Sequence, residues 1–399
     1  MTANSSPFTP HPSPFFRELT PRNLLSFGPE AQPIALERLN VLIGSNGSGK
    51  SNFIEAVALL SATPGDLHAV IRRGGGVREW IWKGTPKEAA SLDVVVHNPS
   101  GIQPLRHVLT FREESQAFRL DDERIENAHP DEGRTEPNFF YRYRQGLPIL
   151  NINGEERRLM REKVVSNASI LAQRRDPETY PEVSYLASAY EKIRVYREWT
   201  FGRNTVFREP QKADMRNDWL EEDFSNLGLF LNRLRRMPKV KSTVLEALRD
   251  LYEGFSDFDV SIEGGTVQVF FTEGDFTIPA TRLSDGTLRY LCLLAILCDP
   301  EPPPLVCIEE PELGLHPDML PKVADLLISA SMRTQLIVTT HSDILVDAMT
   351  DRPEAILVCE KHAGQTVMRR LDAKSLAGWL EKYRLGELWT RGDLGGTRW

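Results

Sequence analysis

Residues 39–62 read LNVLIGSNGSGKSNFIEAVALLSA, and the order of the patterns within them points to one class of fold. The apolar run Leu39–Ile43 predicts a short buried strand, and the spacing of apolar residues in Asn52–Ala62 predicts a helix. A glycine-rich turn joins the two. A strand, a glycine-rich turn and a helix in this order are the context that a phosphate-binding loop requires.

The turn itself, Gly44–Ser51, reads GSNGSGKS and matches the pattern GxxxxGK[ST] in full. Glycines let backbone N–H groups converge on phosphate oxygens, and the positive end of the helix dipole strengthens the attraction. We expect Lys50 to neutralise the β- and γ-phosphates and the Ser51 hydroxyl to bind Mg²⁺. The alternative is a flexible loop with an incidental lysine. The predicted nucleotide-binding residues are Gly44, Ser45, Asn46, Gly47, Ser48, Gly49, Lys50, Ser51 and Asn52.

A second motif ends in two carboxylates. Leu305–Ile308 is apolar and predicts a buried strand, and Glu309 and Glu310 follow it directly. The carboxyl edge of a parallel sheet is where nucleotide sites form. We expect Glu309 to hold Mg²⁺ through water and Glu310 to polarise the water that attacks the γ-phosphate. In isolation, two adjacent glutamates after a strand are more typical of a solvated loop.

Two shorter signals lie between and after these motifs. Ser284 is a good helix N-cap and Gly286 permits close approach, so the helix start within Leu283–Arg289 is suited to bind an anion. A plain helix cap is the alternative. His341 follows the predicted strand Gln335–Thr339 and is placed to contact a γ-phosphate, although a lone histidine at a strand end is more often structural.

Taken in order, these motifs resemble the ATP-binding-cassette ATPases of the RecF/SMC/OLD type, which are often labelled AAA family ATPases. The resemblance covers residues 20–345. A helical insertion follows the Gln loop in such proteins. The matching segments are the phosphate loop, a Gln loop at Ile170–Gln173, the signature at Leu283–Arg289, the Walker B strand with Glu309 and Glu310, the D-loop Pro311–His316 and the switch His341.

The resemblance implies an α/β fold: an ABC-type P-loop ATPase head with a parallel core sheet, an antiparallel β subdomain and a mostly helical insertion. It implies ATP and Mg²⁺ as ligands, with Glu310 and His341 catalytic and Ser51, Glu309 and Gln173 near the metal. Gln145 is an alternative to Gln173. Ser284 and Gly286 would act in trans, on ATP held by the other protomer of a homodimer.

Three features depart from the pattern of the relatives. Glu309 stands where the Walker B strand usually ends in Asp, and Leu25 stands where many relatives carry a basic phosphate contact. The sequence to Trp399 contains no Toprim nuclease pattern. Val358–Glu360 faintly resembles a Toprim start, but the later acidic pair is missing, so we interpret it as a core strand.

Composition and patterning suggest a division of the chain. Of 399 residues, 41% are hydrophobic and 26% charged, which is ordinary for a soluble globular protein. The acidic stretch 121–137 predicts a solvated loop, and a helix is predicted over Leu320–Ser331. We therefore expect a loose leader over 1–17, the first half of an ATPase head over 18–154, a mostly helical insertion over 155–256, and the second half of the head over 257–399.

Other features exclude some classes of protein. The apolar run Tyr290–Cys298 is shorter than the roughly 20 residues of a membrane span, and the N-terminus lacks a secretory pattern. The net charge of −8 excludes a globally basic nucleic-acid coat. Cysteines without CxxC pairs predict buried thiols in a cytoplasmic protein, at Cys292, Cys298, Cys307 and Cys359.

These features leave three functions open. The first is a DNA-linked ATPase switch in antiphage defence or DNA repair that controls a separately encoded effector, a Toprim-like nuclease or another protein, as a homodimer or a higher assembly. The second is the nucleotide-binding subunit of a membrane transporter, and the third a self-contained nuclease. Direct DNA binding stays open and rests on one acid-free basic run: Arg233, Arg235, Arg236, Lys239 and Lys241.

Overall fold

Contacts divide the chain into two units in the computed structural model, which describes residues 13–144, 146–152, 154–159, 167–200, 202 and 205–396. The phosphate-loop unit comprises Ser13–Ile193, Leu357–Leu371 and the residues from Leu394 onward. The Walker B unit comprises Arg194–Ile356 and Asp372–Asp393.

Strands are numbered in chain order over both units. They are β1 (Phe16–Arg22), β2 (Ile34–Ala35), β3 (Leu39–Ile43), β4 (Ala90–Val96), β5 (Leu105–Glu114), β6 (Ala117–Asn127), β7 (Phe139–Arg144), β8 (Leu147–Ile152), β9 (Glu155–Arg158), β10 (Arg194–Tyr196), β11 (Gln211–Lys212), β12 (Phe255–Glu263), β13 (Thr266–Glu273), β14 (Phe276–Pro279), β15 (Leu305–Glu309), β16 (Gln335–Thr339), β17 (Ile356–His362) and β18 (Gln365–Arg370).

The α-helices are numbered in the same way. They are α1 (Lys50–Ser61), α2 (Leu67–Arg73), α3 (Val77–Trp80), α4 (Ile170–Gln173), α5 (Pro181–Tyr190), α6 (Leu227–Arg235), α7 (Pro238–Leu251), α8 (Asp285–Leu297), α9 (Leu320–Ser331), α10 (Asp343–Asp347), α11 (Ala373–Leu380) and α12 (Leu385–Thr390).

Two sheets build the phosphate-loop unit. An antiparallel sheet has the order β2-β1-β4-β5-β6-β7-β8-β9, and burial alternates along β4 because one face of the sheet meets the core. Strand β3 is buried along its whole length and lies beside β17, which pairs antiparallel with β18. Helix α1 buries Phe53, Ile54, Val57 and Leu60, and each fully buried side chain of this kind contributes about 1.5–3 kcal/mol of hydrophobic stabilisation.

Two segments of this unit that were predicted to be irregular extend into strands, while residues 128–137 of the acidic stretch are irregular as predicted. The leader predicted over 1–17 ends earlier than expected, because Phe16 begins β1 and is fully buried; residues 1–12 lie outside the described residues. The acidic stretch predicted as a loop over 121–137 enters β6, which runs to Asn127. Its charges are compensated in the sheet, since Asp121 pairs with Arg112 at 3.1 Å.

The Walker B unit contains a parallel sheet, β10-β15-β16, and an antiparallel sheet, β11-β13-β12, whose β13 also pairs with β14. Helix α8 contains the apolar run that follows Ser284 and buries every residue from Leu288 to Leu297. The helix predicted over Leu320–Ser331 and the strand predicted over Gln335–Thr339 are found at those residues. No helix in the described part of the chain has the length and apolar character to span a bilayer.

The insertion predicted as mostly helical over 155–256 is more mixed and does not form a unit of its own. Its helices α4, α5, α6 and α7 alternate with strands β9, β10 and β11 and with irregular segments. The division between the two units falls at Arg194, inside the predicted insertion. Packing explains this, because Tyr190 at the end of α5 is buried against Phe15 and Phe16, whereas α6 and α7 contact β12 and α8.

Candidate nucleotide-binding site

The phosphate loop connects β3, which ends at Ile43, to α1, which begins at Lys50. Gly49 is the N-cap of α1 and has a φ of 106°, a conformation that L-residues with side chains avoid. A Cβ on Gly44 would lie 2.3 Å from the carbonyl oxygen of Cys359, so the backbones approach too closely for any side chain. The glycines of the motif are therefore demanded by the local structure.

The donors of this loop fit a phosphate group. Lys50 is 6% exposed, and its Nζ donates to the carbonyl oxygens of Gly44 at 2.8 Å and Ser45 at 3.2 Å. The Ser48 hydroxyl is buried and has no hydrogen-bond partner among the residues that the structure describes. A buried hydroxyl without a partner, an ammonium group held over the loop and the first N–H groups of a helix are donors that phosphate oxygens satisfy.

Strand β15 in the Walker B unit carries the two predicted carboxylates at its end. Glu309 is the last residue of the strand, and Glu310 follows with a φ of 47° in the left-handed region. The N–H of Glu310 donates to the carbonyl oxygen of Thr339 at 3.0 Å and lies 3.3 Å from its hydroxyl. Glu310 is therefore held by the neighbouring strand β16 in a conformation that costs free energy.

Glu309 lies beside the segment that follows β10. Its Oε1 is 3.9 Å from Nε of Arg197, and its carbonyl oxygen accepts a 2.8 Å hydrogen bond from the indole N–H of Trp199. Carboxylate oxygens are ligands that Mg²⁺ prefers, so Glu309 fits the metal-binding role predicted for it.

His341 and Glu310, which the sequence motifs assigned separately to the γ-phosphate and to the attacking water, lie next to each other. Nε2 of His341 lies 3.6 Å from Oε1 of Glu310, and each side chain is about one-third exposed. His341 belongs to the turn between β16 and α10, and its backbone N–H donates to Oε1 of Glu312 at 2.7 Å. The pair is open to solvent and anchored through the backbone, which suits groups that act on a bound molecule.

The predicted signature residues lie at the start of α8. Ser284 is the N-cap, and its Oγ accepts a 3.1 Å hydrogen bond from the backbone N–H of Thr287, as predicted. A Cβ on Gly286 would lie 2.9 Å from the carbonyl oxygen of Gly314, so Gly286 permits close approach of the D-loop. Ser284 is exposed at the surface of the chain.

Gln173 ends the short helix α4. Its side-chain nitrogen donates to the carbonyl oxygens of Ala168 at 2.8 Å and Ser169 at 3.3 Å, so the amide nitrogen is directed toward its own loop. The start of α4 is anchored to the buried Glu123, which accepts hydrogen bonds from the Ser169 hydroxyl and the Ile170 N–H. The alternative Gln145 lies outside the described residues.

The predicted residues therefore fall into two groups. The first group, Gly44 to Asn52 together with Gln173, belongs to the phosphate-loop unit. The second belongs to the Walker B unit and consists of Ser284, Gly286, Glu309, Glu310 and His341. Within the second group the structure brings Glu310 and His341 together.

Comparison with known proteins agrees with this pattern. The profile of the family described as "AAA domain, putative AbiEii toxin, Type IV TA system" matches residues 39–347, which is most of the chain and includes every predicted motif. The chain belongs to this AAA family. No curated protein matches it.

Solved structures show the fold of this AAA protein to be that of an SMC head. An Smc head bound to the C-winged helix domain of ScpA has a TM-score of 0.57 at 16% identity, with 91% of this chain and 99% of that chain covered. An Smc head with an extended coiled coil, bound to the C-terminal domain of ScpA and derived from Pyrococcus furiosus, has a TM-score of 0.57 at 14% identity, with 92% and 99% covered. The predicted ABC-type ATPase fold is confirmed.

Sequence reasoning missed Arg208, which holds the signature of this AAA protein. Its guanidinium donates to the carbonyl oxygens of Thr281 at 2.5 Å and Leu283 at 2.9 Å, and to Oδ1 of Asp285 at 2.6 Å. Its Nε donates to the carbonyl oxygen of Gly202 at 2.9 Å. One side chain thus ties the predicted insertion to the loop before α8, and no local motif surrounds Arg208 to mark it.

Arg289 contacts Glu310, which the sequence did not indicate. It is 5% exposed, and its Nη2 donates to the carbonyl oxygen of Glu310 at 2.8 Å. Its guanidinium lies 4.4 Å from the ring centroid of Trp199, a cation–π contact. Burial lowers the pKa of Arg289 to about 10. Helix α8 is therefore linked directly to the strained residue at the end of β15.

Glu312 was also not predicted from the sequence to belong to the site. Its Oε1 accepts hydrogen bonds from the Thr340 hydroxyl at 2.8 Å and from the N–H of His341 at 2.7 Å. Burial raises the pKa of Glu312, and these hydrogen bonds oppose the rise. Glu312 thus fixes the turn that carries His341.

Three of the five members of the acid-free basic run are paired with acids in three dimensions. Arg233 pairs with Asp299 at 2.5 Å, Arg235 pairs with Asp259, and Lys241 pairs with Asp257 at 2.7 Å. The acids come from distant parts of the sequence, so counting charges along the run could not show them. As a continuous cationic surface, the run is less suited to DNA than the sequence suggested.

Proposed function

We propose that this chain binds ATP with Mg²⁺, hydrolyses it slowly, and acts as a nucleotide-driven switch in a two-fold homodimer. The observation that carries this proposal is the phosphate loop, where the buried Ser48 hydroxyl has no partner in the described part of the chain and Lys50 is held over the loop by backbone carbonyls. Membership of the AAA family and the fold of an SMC head support it.

Binding follows from the donors of the loop. Phosphate oxygens would accept hydrogen bonds from the first N–H groups of α1 and from the Ser48 hydroxyl. The Lys50 ammonium would exchange the neutral carbonyls of Gly44 and Ser45 for charged phosphate oxygens, a stronger hydrogen bond. Ser45, Asn46, Gly47 and Asn52 complete the binding segment that we assign.

Hydrolysis needs positioning and charge neutralisation more than covalent chemistry. Ser51, Glu309 and Gln173 are the residues that would hold Mg²⁺, which neutralises developing charge on the phosphate oxygens when it is bound. We assign Glu310 to orient the attacking water and accept its proton. His341, 3.6 Å from Glu310, would hold that carboxylate and contact the γ-phosphate.

The homodimer is proposed because Ser284 is exposed at the start of a helix, where N–H groups can bind phosphate oxygens. In an ATP sandwich, Ser284 and Gly286 of one protomer would complete the site on the other. Arg208 would then fix the signature loop for that contact, because it binds Leu283 and Asp285 on either side of Ser284.

A separately encoded partner completes the proposal. Both similar Smc heads are bound to a domain of ScpA, and the family description refers to a toxin of a type IV toxin–antitoxin system. We extend this to a DNA-linked role in antiphage defence or DNA repair, through an effector such as a Toprim-like nuclease. The four cysteines are buried free thiols, which agrees with a cytoplasmic location. The comparisons do not favour the transporter alternative.

The test separates binding from turnover. Glu310→Gln should keep ATP binding and reduce phosphate release by about 100-fold or more, because the amide cannot accept the proton. Lys50→Ala should weaken both by about 100-fold, because a charged contact to phosphate is lost. Glu301→Gln is a matched control, since Glu301 is 84% exposed. Wild-type turnover by Glu310→Gln would show that the catalytic assignment is wrong.

A second measurement tests the effector. The purified chain should show no nuclease activity, because the output is assigned to another protein. Metal-dependent DNA cleavage by the chain alone, lost when its own carboxylates are replaced, would contradict this assignment.

A further inference from the structure

Thr366 lies beside the phosphate loop although it is far from the loop in sequence. It is the second residue of β18 and is 3% exposed. Its Oγ1 donates to the carbonyl oxygen of Ser48 at 2.8 Å, and its backbone N–H donates to the carbonyl oxygen of Ser26 at 2.8 Å. The Ser26 hydroxyl lies 2.7 Å from the same Oγ1.

The directions of these hydrogen bonds follow from the atoms involved. A carbonyl oxygen can only accept, so the single hydroxyl proton of Thr366 must point at Ser48. Ser26 then has to donate to Thr366. The result is a chain from Ser26 through Thr366 to the Ser48 carbonyl, with one orientation for each hydroxyl.

This chain fixes one peptide group of the loop. In a trans peptide the C=O and the N–H point in opposite directions, so a Ser48 carbonyl held by Thr366 sets the direction of the Gly49 N–H. That N–H points away from β18. It lies at the N-terminus of α1, where backbone donors have no helical acceptor and bind anions.

The same contact explains why residue 49 must be glycine. A Cβ on Gly49 would lie 2.1 Å from Oγ1 of Thr366 and 2.9 Å from Oγ of Ser26. The side chains of β18 and the segment after β1 thus occupy the space that a side chain at position 49 would need. Thr366 lies beyond residue 347, where the family match ends.

We propose that Thr366 is a positioning residue of the nucleotide site, which orients the Ser48–Gly49 peptide so that its N–H binds a phosphate of the nucleotide. This inference rests on the proposed function. It predicts that nucleotide affinity depends on the hydroxyl of Thr366 and not only on the volume of its side chain.

The experiment compares variants of the full chain by titration with the non-hydrolysable analogue AMP-PNP and Mg²⁺. Thr366→Val keeps the shape and removes the donor, and should raise the Kd about tenfold at unchanged stoichiometry, the size expected for one lost hydrogen bond. Thr366→Ser keeps the hydroxyl and should bind within about twofold of wild type. Val367→Thr is the reverse substitution at an exposed neighbour on the same strand and should bind like wild type.

The outcomes are distinct. A reduced stoichiometry with unchanged Kd in Thr366→Val would mean a folding defect alone, and would overturn the proposal. Equal weakening in Thr366→Val and Thr366→Ser would also overturn it, because the hydroxyl would then not be the cause. Absence of binding by the wild-type chain would instead contradict the proposed function, on which this inference depends.

Discussion

The phosphate loop and the end of β15 both contain left-handed backbone, and they tolerate it in opposite ways. The loop uses glycine, with φ of 79° at Gly47 and 106° at Gly49. The Walker B unit places a full side chain there, because Glu310 has a φ of 47°. For a residue with a Cβ this conformation costs about 1–2 kcal/mol.

In the function that we propose, different atoms act on the nucleotide at the two places. In the loop the backbone N–H groups would bind, so glycine removes the cost without loss of function. At the end of β15 the carboxylate would act, so glycine would not serve there and neighbours must hold the strain. Thr339 accepts the N–H of Glu310 at 3.0 Å, and Arg289 donates to its carbonyl oxygen at 2.8 Å.

The largest expected effect concerns the glycines of the phosphate loop. Gly49→Ala places a Cβ 2.1 Å from Thr366 at a φ of 106°, whereas a Cβ on Gly47 meets no atom of the described residues within 4 Å. We expect the Kd for AMP-PNP to rise by at least about 100-fold in Gly49→Ala and by about tenfold or less in Gly47→Ala, since the second carries only backbone strain. Equal losses would mean that φ, and not the close approach of Thr366, sets the requirement.

Next in size is the support of Glu310 by Arg289. Arg289→Met keeps a long side chain and removes the hydrogen bond to the Glu310 carbonyl and the contact with Trp199. We expect phosphate release to fall about tenfold with the Kd for ATP unchanged, because the carboxylate is displaced and the loop is not. The exposed Arg282→Met is the control. A change in Kd alone would show that Arg289 does not act through Glu310.

The contrast also explains what could be predicted from the sequence. The helix after the phosphate loop and the N-cap Ser284 depend on short motifs, and the structure has them where predicted. The contact between Glu310 and His341 joins two such motifs and was not predicted. Arg208 and Thr366 act on partners far away in the chain, Asp285 and Ser48, so no local pattern marks them.

Predictions from charge have the same limit, because the sequence does not show which distant residues become neighbours. Residues 121–127 were predicted to be part of a loop because they are acidic, but they form the end of β6. Glu123 is fully buried and accepts hydrogen bonds from Ser169 and Ile170, residues more than 40 positions away. A count of charges along the chain cannot include partners that the fold supplies.

A mixing experiment tests whether the phosphate loop of one protomer and the signature of the other form a shared site in a dimer. Lys50→Ala protomers lack a working loop, and Ser284→Arg protomers lack a working signature. In an equal mixture half of the dimers are mixed, and each of these contains one intact composite site out of two. We expect about a quarter of wild-type phosphate release, from two variants that are each nearly inactive. Activity equal to the sum of the separate variants would contradict shared sites.

The smallest effect measures the strain at Glu310 itself. Glu310→Ala and Glu310→Gly both remove the carboxylate, so they differ mainly in what a Cβ costs at a φ of 47°. Glycine adopts this conformation without the steric cost of a Cβ, but it loses more backbone entropy on folding. Because the steric cost is the larger of the two, we expect Glu310→Gly to be more stable by about 1 kcal/mol. Denaturant unfolding of the two variants measures the difference, and the exposed pair Glu301→Ala and Glu301→Gly is the control. If Glu310→Ala is as stable as Glu310→Gly, the backbone at the end of β15 is not strained, and the contacts from Thr339 and Arg289 serve only to orient the carboxylate.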